Sequence, residues 1–207
     1  MLILLTLAGH LCAAVPQQTA SANESKDEPV SIGLIIDNST SMKDKIKATV
    51  AALRELVQAS NPRDEFFVVN FNGDVRLDQD FTVDTSRVYK AIDQADAHGG
   101  TSLYDALLAS GNYLKKTSKY TKKFLIVVTD GSDNESHVTS SNVLKEFNVA
   151  NSPIVYCVGL FTEESDARGH TVLEKLAKGT GGSAFFPDKP KKLQEIMVKI
   201  AAEIRNR

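Results

Sequence analysis

Cysteine is scarce: the 207 residues hold two, Cys12 and Cys157. Cys12 lies in an apolar opening segment. If that segment is removed, one thiol remains and no intramolecular disulfide can form. Cys157 sits inside PIVYCVGL and reads as an inert buried thiol. Basic surplus is also missing. With 24 basic and 26 acidic residues, the formal charge is -2 and no basic stripe runs along the chain, which argues against nucleic acid as a partner. No apolar run reaches the roughly 20 residues of a membrane-spanning helix. There is no His-x-x-x-His pair, no Gly-x-Ser-x-Gly elbow and no internal repeat, so the common signatures of zinc peptidases, serine hydrolases and repeat proteins are all lacking.

What is present begins with MLILLTLAGHLCAAV, followed by a polar stretch. Its length and small-residue exits have the shape of a secretory signal, although no Lys or Arg precedes Lys26. The expectation is a leader over 1–22, a flexible linker over 23–29 and one domain over 30–207. The setting would be exported: periplasmic, cell-surface or secreted. Apolar residues make up 42% of the chain, enough for the core of such a domain.

From Val30 onward, apolar runs alternate with amphipathic stretches. VSIGLII (30–36), EFFVVNF (65–71), KFLIVVTDG (123–131) and PIVYCVGL (153–160) read as buried strands. Asn72-Gly73-Asp74 is a hairpin signal, and VRLDQDF (75–81) alternates like a half-exposed edge strand. SAFF (183–186) is a short strand. Helical periodicity covers 42–59, 85–95, 102–116, 138–149, 169–178 and 190–205. This order predicts an α/β fold: a doubly wound, Rossmann-like, mostly parallel six-stranded sheet with one antiparallel edge strand and helices on both faces. Ligands of such sheets bind beyond the carboxyl ends of the strands, where the winding reverses.

Three segments fall there: Asp37-Asn38-Ser39-Thr40-Ser41, Gly99-Gly100-Thr101 and Thr129-Asp130-Gly131. Singly, each reads as a helix cap or a strand end. Together they bring five oxygen-bearing side chains, Asp37, Ser39, Ser41, Thr101 and Asp130, towards one point. Two carboxylates so close repel unless a cation or a strong donor set lies between them. If a cation, the all-oxygen set points to Mg²⁺, with Mn²⁺ or Ca²⁺ as substitutes.

Asp37-x-Ser39-x-Ser41, with Thr101 and Asp130 downstream, resembles the metal-ion-dependent adhesion site of von Willebrand factor type A domains. The likeness spans about residues 29–205. Through DNSTSM, NPRDEFFVVNFN, HGGTSLYDA, VVTDGSDN and GTGGSAFFP it is nearest to the exported branch of Acidobacteria. The resemblance implies direct hydroxyl ligands from Ser39, Ser41 and Thr101, with Asp37 and Asp130 binding directly or through water. It implies a last position filled by an Asp or Glu of a protein or peptide partner. Thr40 departs from the glycine usual in such domains. The expectation is therefore metal-dependent, non-enzymatic protein binding. Two rivals stand beside it. One is a metal-dependent hydrolase or phosphatase using Asp37 and Asp130, with Lys43 or Lys45 near a phosphate. The other is a structural domain of a larger envelope assembly.

Overall fold

The computed structural model describes residues 28–131, 133–149, 152–161 and 167–207. The leader over 1–22 and most of the linker lie outside these described residues. Six strands form one sheet: β1 (Ser31–Asp37), β2 (Glu65–Phe71), β3 (Val75–Thr82), β4 (Lys123–Thr129), β5 (Ile154–Gly159) and β6 (Ala184–Phe185). Their order is β3-β2-β1-β4-β5-β6, and β3 alone runs antiparallel, against β2. The hairpin between them turns at Asn72-Gly73-Asp74, where the Asn72 N–H meets the Asp74 carbonyl at 3.0 Å. The predicted fold class is the observed one.

Among the described residues, six helices cover the sheet: α1 (Ile46–Ala59), α2 (Thr85–Ile92), α3 (Leu103–Thr117), α4 (Ser140–Phe147), α5 (Ala167–Gly179) and α6 (Pro190–Arg205). Successive strand residues point to opposite faces, and the core divides accordingly. Ile32, Leu34, Ile36, Phe124, Ile126 and Val128 pack with α1, α2 and α6. Ile35, Phe67, Val69, Leu125 and Val127 pack with α3, α4 and α5. Strands buried on both faces explain why the sequence shows continuous apolar runs there rather than alternation. The edge strand β3 departs from the expected alternation: Leu77 is exposed while Asp78 turns in to accept from Asn70 Nδ2–H, and the pairing with β2 shifts register between Phe66 and Val69.

Gly33 in β1 keeps that layering possible. A Cβ there would lie 2.3 Å from the Phe67 ring and 2.7 Å from Leu125. The ring it admits anchors an aromatic cluster with Phe81 and Tyr113, at centroid distances of 5.0 Å each.

The helix predicted to start at residue 42 starts at Ile46 instead. Thr40–Met42 form a 3-10 turn, with Met42 N–H on the Ser39 carbonyl and Lys45 N–H on the Met42 carbonyl. This tighter winding keeps the segment after β1 at the end of the sheet and delays the regular helix. Among the described residues, no helix is long and apolar enough to cross a membrane.

Candidate functional site

The strand order reverses between β1 and β4, so the switch point lies between the ends of these two neighbours. β1 delivers Asp37 there and β4 delivers Thr129, followed by Asp130. Backbone bonds then draw in the third segment. Thr40 N–H and Thr40 Oγ1–H both donate to the Gly99 carbonyl, at 3.1 and 3.0 Å, and His98 N–H donates to the Asn38 carbonyl at 2.8 Å. Gly99 has φ 75°, a left-handed conformation that suits glycine. Thr40 therefore ties the two loops together.

All five sequence-predicted side chains meet at this apex. Ser41 Oγ donates to Asp130 Oδ1 at 2.6 Å and lies 3.1 Å from Ser39 Oγ. Thr101 Oγ1 and Ser41 Oγ both border Gly131, 3.6 and 3.9 Å from where a Cβ on that glycine would stand. Asp37 accepts from Ser39 N–H at 2.7 Å and from Thr129 Oγ1–H at 2.5 Å. Asp37, Ser39, Thr101 and Asp130 are buried, and Ser41 is exposed. Burial pushes the Asp37 carboxyl above its ordinary range, against the lowering effect of the Ser39 and Thr129 bonds; the nearby Asp130 charge adds a smaller upward push.

The convergence expected from the sequence is present, but its metal is corrected. Between the two possibilities, a cation or a donor set, the structure supplies donors. The Lys45 ammonium pairs with Asp130 Oδ2, and Ser41 takes the other oxygen, so both Asp130 oxygens are engaged. Asp37 likewise has a donor on each oxygen. Among the described residues no group of three or more His, Cys, Asp or Glu could hold a metal ion. The residues present do not fit Mg²⁺, Mn²⁺ or Ca²⁺, and the metal-ion-dependent adhesion site, with its partner carboxylate on the metal, is not the mode of this apex. Nor is Asp37 poised as a phosphatase nucleophile, since it is fully buried with neither oxygen free.

Sequence reasoning set Lys45 aside as a phosphate-binding candidate. Lys45 stands four residues after Ser41, across the 3-10 turn, and its side chain returns to the same carboxylate that Ser41 holds. Neighbouring residues brace the apex: Asp133 Oδ1 accepts from Tyr104 N–H in the first turn of α3 at 3.2 Å, and Asn134 Oδ1 accepts from Thr101 N–H, just before that helix, at 2.8 Å. Asp105 accepts from His137 N–H and Val138 N–H, and its carboxyl sits below the ordinary range because these bonds outweigh its partial burial. His98 is exposed on the rim, with Nδ1 2.9 Å from the Asp96 carbonyl oxygen. Glu135, which no sequence signal marked, lays its carboxyl over both Gly73 and Gly100. A Cβ on either glycine would meet it at 2.2 to 2.3 Å.

Comparison with known proteins fits this architecture. The model of the von Willebrand factor type A domain matches residues 32–132, which carry four of the five apical residues and the fifth, Asp130, near their end. The inter-alpha-trypsin inhibitor heavy chain H4 of Sus scrofa is 27% identical over 180 residues, covering 80% of this chain and 19% of its own length. The chain thus spans about a fifth of the curated relatives it matches. Among solved structures, a von Willebrand factor type A protein from Catenulispora acidiphila superposes with a TM-score of 0.70 at 22% identity, over 86% of this chain and 43% of that one. The conserved hypothetical protein BatB from Bacteroides thetaiotaomicron gives 0.68 at 15% identity, over 86% of this chain and 100% of that one. The PilB minor pilin from Streptococcus sanguinis gives 0.68 at 12% identity, over 86% and 61%. None of these singles out the Acidobacteria branch. Sheet order, helix layers and the matched segment agree: this chain is a domain of the von Willebrand factor type A fold.

Proposed function

We propose that the domain is a structural, protein-contacting module of a larger assembly in an extracellular or cell-surface setting. The observation that carries this reading is the closed apex. The carboxylates at the switch point, where such a sheet would bind a ligand, are taken up by Lys45, Ser41, Ser39 and Thr129. That arrangement rigidifies the loops and presents a preformed surface. It leaves no activated nucleophile and no open coordination position.

The likeness to a minor pilin and to other bacterial proteins of this fold supports the setting in general terms. Assignment to the exported Acidobacteria branch is a finer part of the proposal and rests on the quoted sequence stretches alone.

Chemical cross-linking in the native cell, followed by fractionation with and without chelator, tests the reading. The chain should appear in high-mass cross-linked species of the envelope or culture fluid, equally with and without chelator. A chain that stays monomeric under cross-linking would contradict an assembly role.

A further inference from the structure

The opposite end of the sheet carries a second feature. The loop after α3, the start of β4, the start of β5 and the end of α6 enclose a cleft of about 640 Å³. Pockets of this size take ligands of several residues or a small molecule. Phe124 and Ile154 give it an apolar part, and Lys119, Lys122, Lys123 and Arg207 give it a basic lining. In a chain whose acidic residues outnumber its basic ones, four cations in one recess are a local excess.

Little inside the protein neutralises them. Among the described residues neither the Lys119 nor the Lys123 ammonium pairs with a carboxylate, although the Lys119 backbone N–H donates to the buried Glu65 carboxylate at 2.8 Å. Arg207 Nη2 donates to the Gly181 carbonyl, at 2.7 Å, which holds the guanidinium in place without cancelling its charge. Lys122 does pair, with the exposed Glu28 at 3.0 Å. Glu28 lies outside the cleft lining, so that pair shows only that a polypeptide carboxylate reaches one of these lysines.

We infer that this cleft docks an acidic peptide segment of a protein partner, with Glu or Asp side chains on Lys119 and Lys123 and an intervening apolar side chain against the half-buried Ile154. The inference rests on the assembly reading above and names a surface for it. Concavity favours a peptide over an anionic membrane, because a planar bilayer surface cannot enter a recess to reach cations set within it.

A fluorescein-labelled peptide alternating Glu and Leu, and its Gln-Leu counterpart, provide the probes. Anisotropy at low salt should show saturable binding of the Glu peptide alone, weakening as salt screens the charges. Reversing both charges in K119E/K123E should cost roughly tenfold in affinity. K119Q/K123Q should fall between it and the parent, and K90E, on exposed α2, should bind like the parent. Circular dichroism establishes that each variant is folded. Equal binding by K119E/K123E, equal binding of the Gln peptide, or a preference for phosphatidylglycerol vesicles over the peptide would overturn the inference. Cross-linked complexes that persist unchanged in cells carrying K119E/K123E would overturn it while sparing the assembly reading. Absence of complexes for the parent chain, with peptide binding intact, would remove the assembly reading and leave the cleft.

Discussion

Asp130 is nearly fully buried, and its two oxygens are held by different partners: Ser41 Oγ–H on one, the Lys45 ammonium on the other. A buried carboxylate without its counter-charge is strongly disfavoured. Replacing Lys45 by Met keeps the aliphatic stem and deletes the charge. Urea denaturation of K45M should show a loss of about 2 kcal/mol, since a charge-assisted bond to a buried group is removed and the group stays behind. An unchanged midpoint would mean that Lys45 points to solvent. Cys157 makes a second residue-scale case. It is fully buried in β5, and burial pushes its thiol far above the ordinary range. A thiol so placed has almost no thiolate. It should stay unreactive towards a chromogenic disulfide reagent in the native protein and react stoichiometrically in denaturant. Rapid native reaction would contradict its place in the sheet.

At the scale of elements, the last helix is fastened to the sheet by more than its apolar stripe. Leu193, Met197, Ile200 and Ile204 enter the core beside α1. At its end, Arg205 Nη2 meets both oxygens of Asp64 at 3.0 Å, and Asp64 also accepts from Val30 N–H at 2.9 Å. One carboxylate therefore joins the start of β1, the approach to β2 and the end of α6. Burial raises the Asp64 carboxyl above its ordinary range, and the Val30 bond and Arg205 charge only partly offset this. A raised carboxyl binds its proton more tightly in the folded state. Its contribution to stability is then fully present below the unfolded value and is lost as pH rises through the folded one. Asn does not titrate. The stability of the parent minus that of D64N should fall as pH is raised from the ordinary carboxylate range towards neutrality, as read by urea melts. A difference that is flat or rises with pH would contradict the assigned shift.

Most elements were legible in the sequence because β-branched runs and three-to-four spacings have single readings over such lengths. VSIGLII, EFFVVNF and the final helix lie within a residue or so of their expected bounds. The start of α1 was not, because the buried Met42 of the 3-10 turn reads as the first apolar position of the helix that follows. Convergence at the apex was legible too, from two strands ending in Asp beside each other. What filled the space between those carboxylates was not. Periodicity places residues on faces, but it does not say whether a long side chain such as Lys45 folds back across its own loop or extends into water.

The whole molecule has two unlike ends. At the carboxyl ends of the strands, polar side chains close on one another; at the other end lies a recess lined by Lys119, Lys122, Lys123 and Arg207. An assembly module can use such a frame without moving parts, its loops held by internal bonds and its charge displayed at one end. The central claim is that both apical carboxylates are satisfied by the chain's own donors. A ligand that binds only the folded state raises the melting temperature by mass action. The most direct test is therefore thermal unfolding of the domain in millimolar Mg²⁺, Mn²⁺ and Ca²⁺ against chelator, with T101A measured in parallel. A self-satisfied apex predicts the same melting temperature in every condition. A metal-dependent rise that T101A abolishes would contradict it.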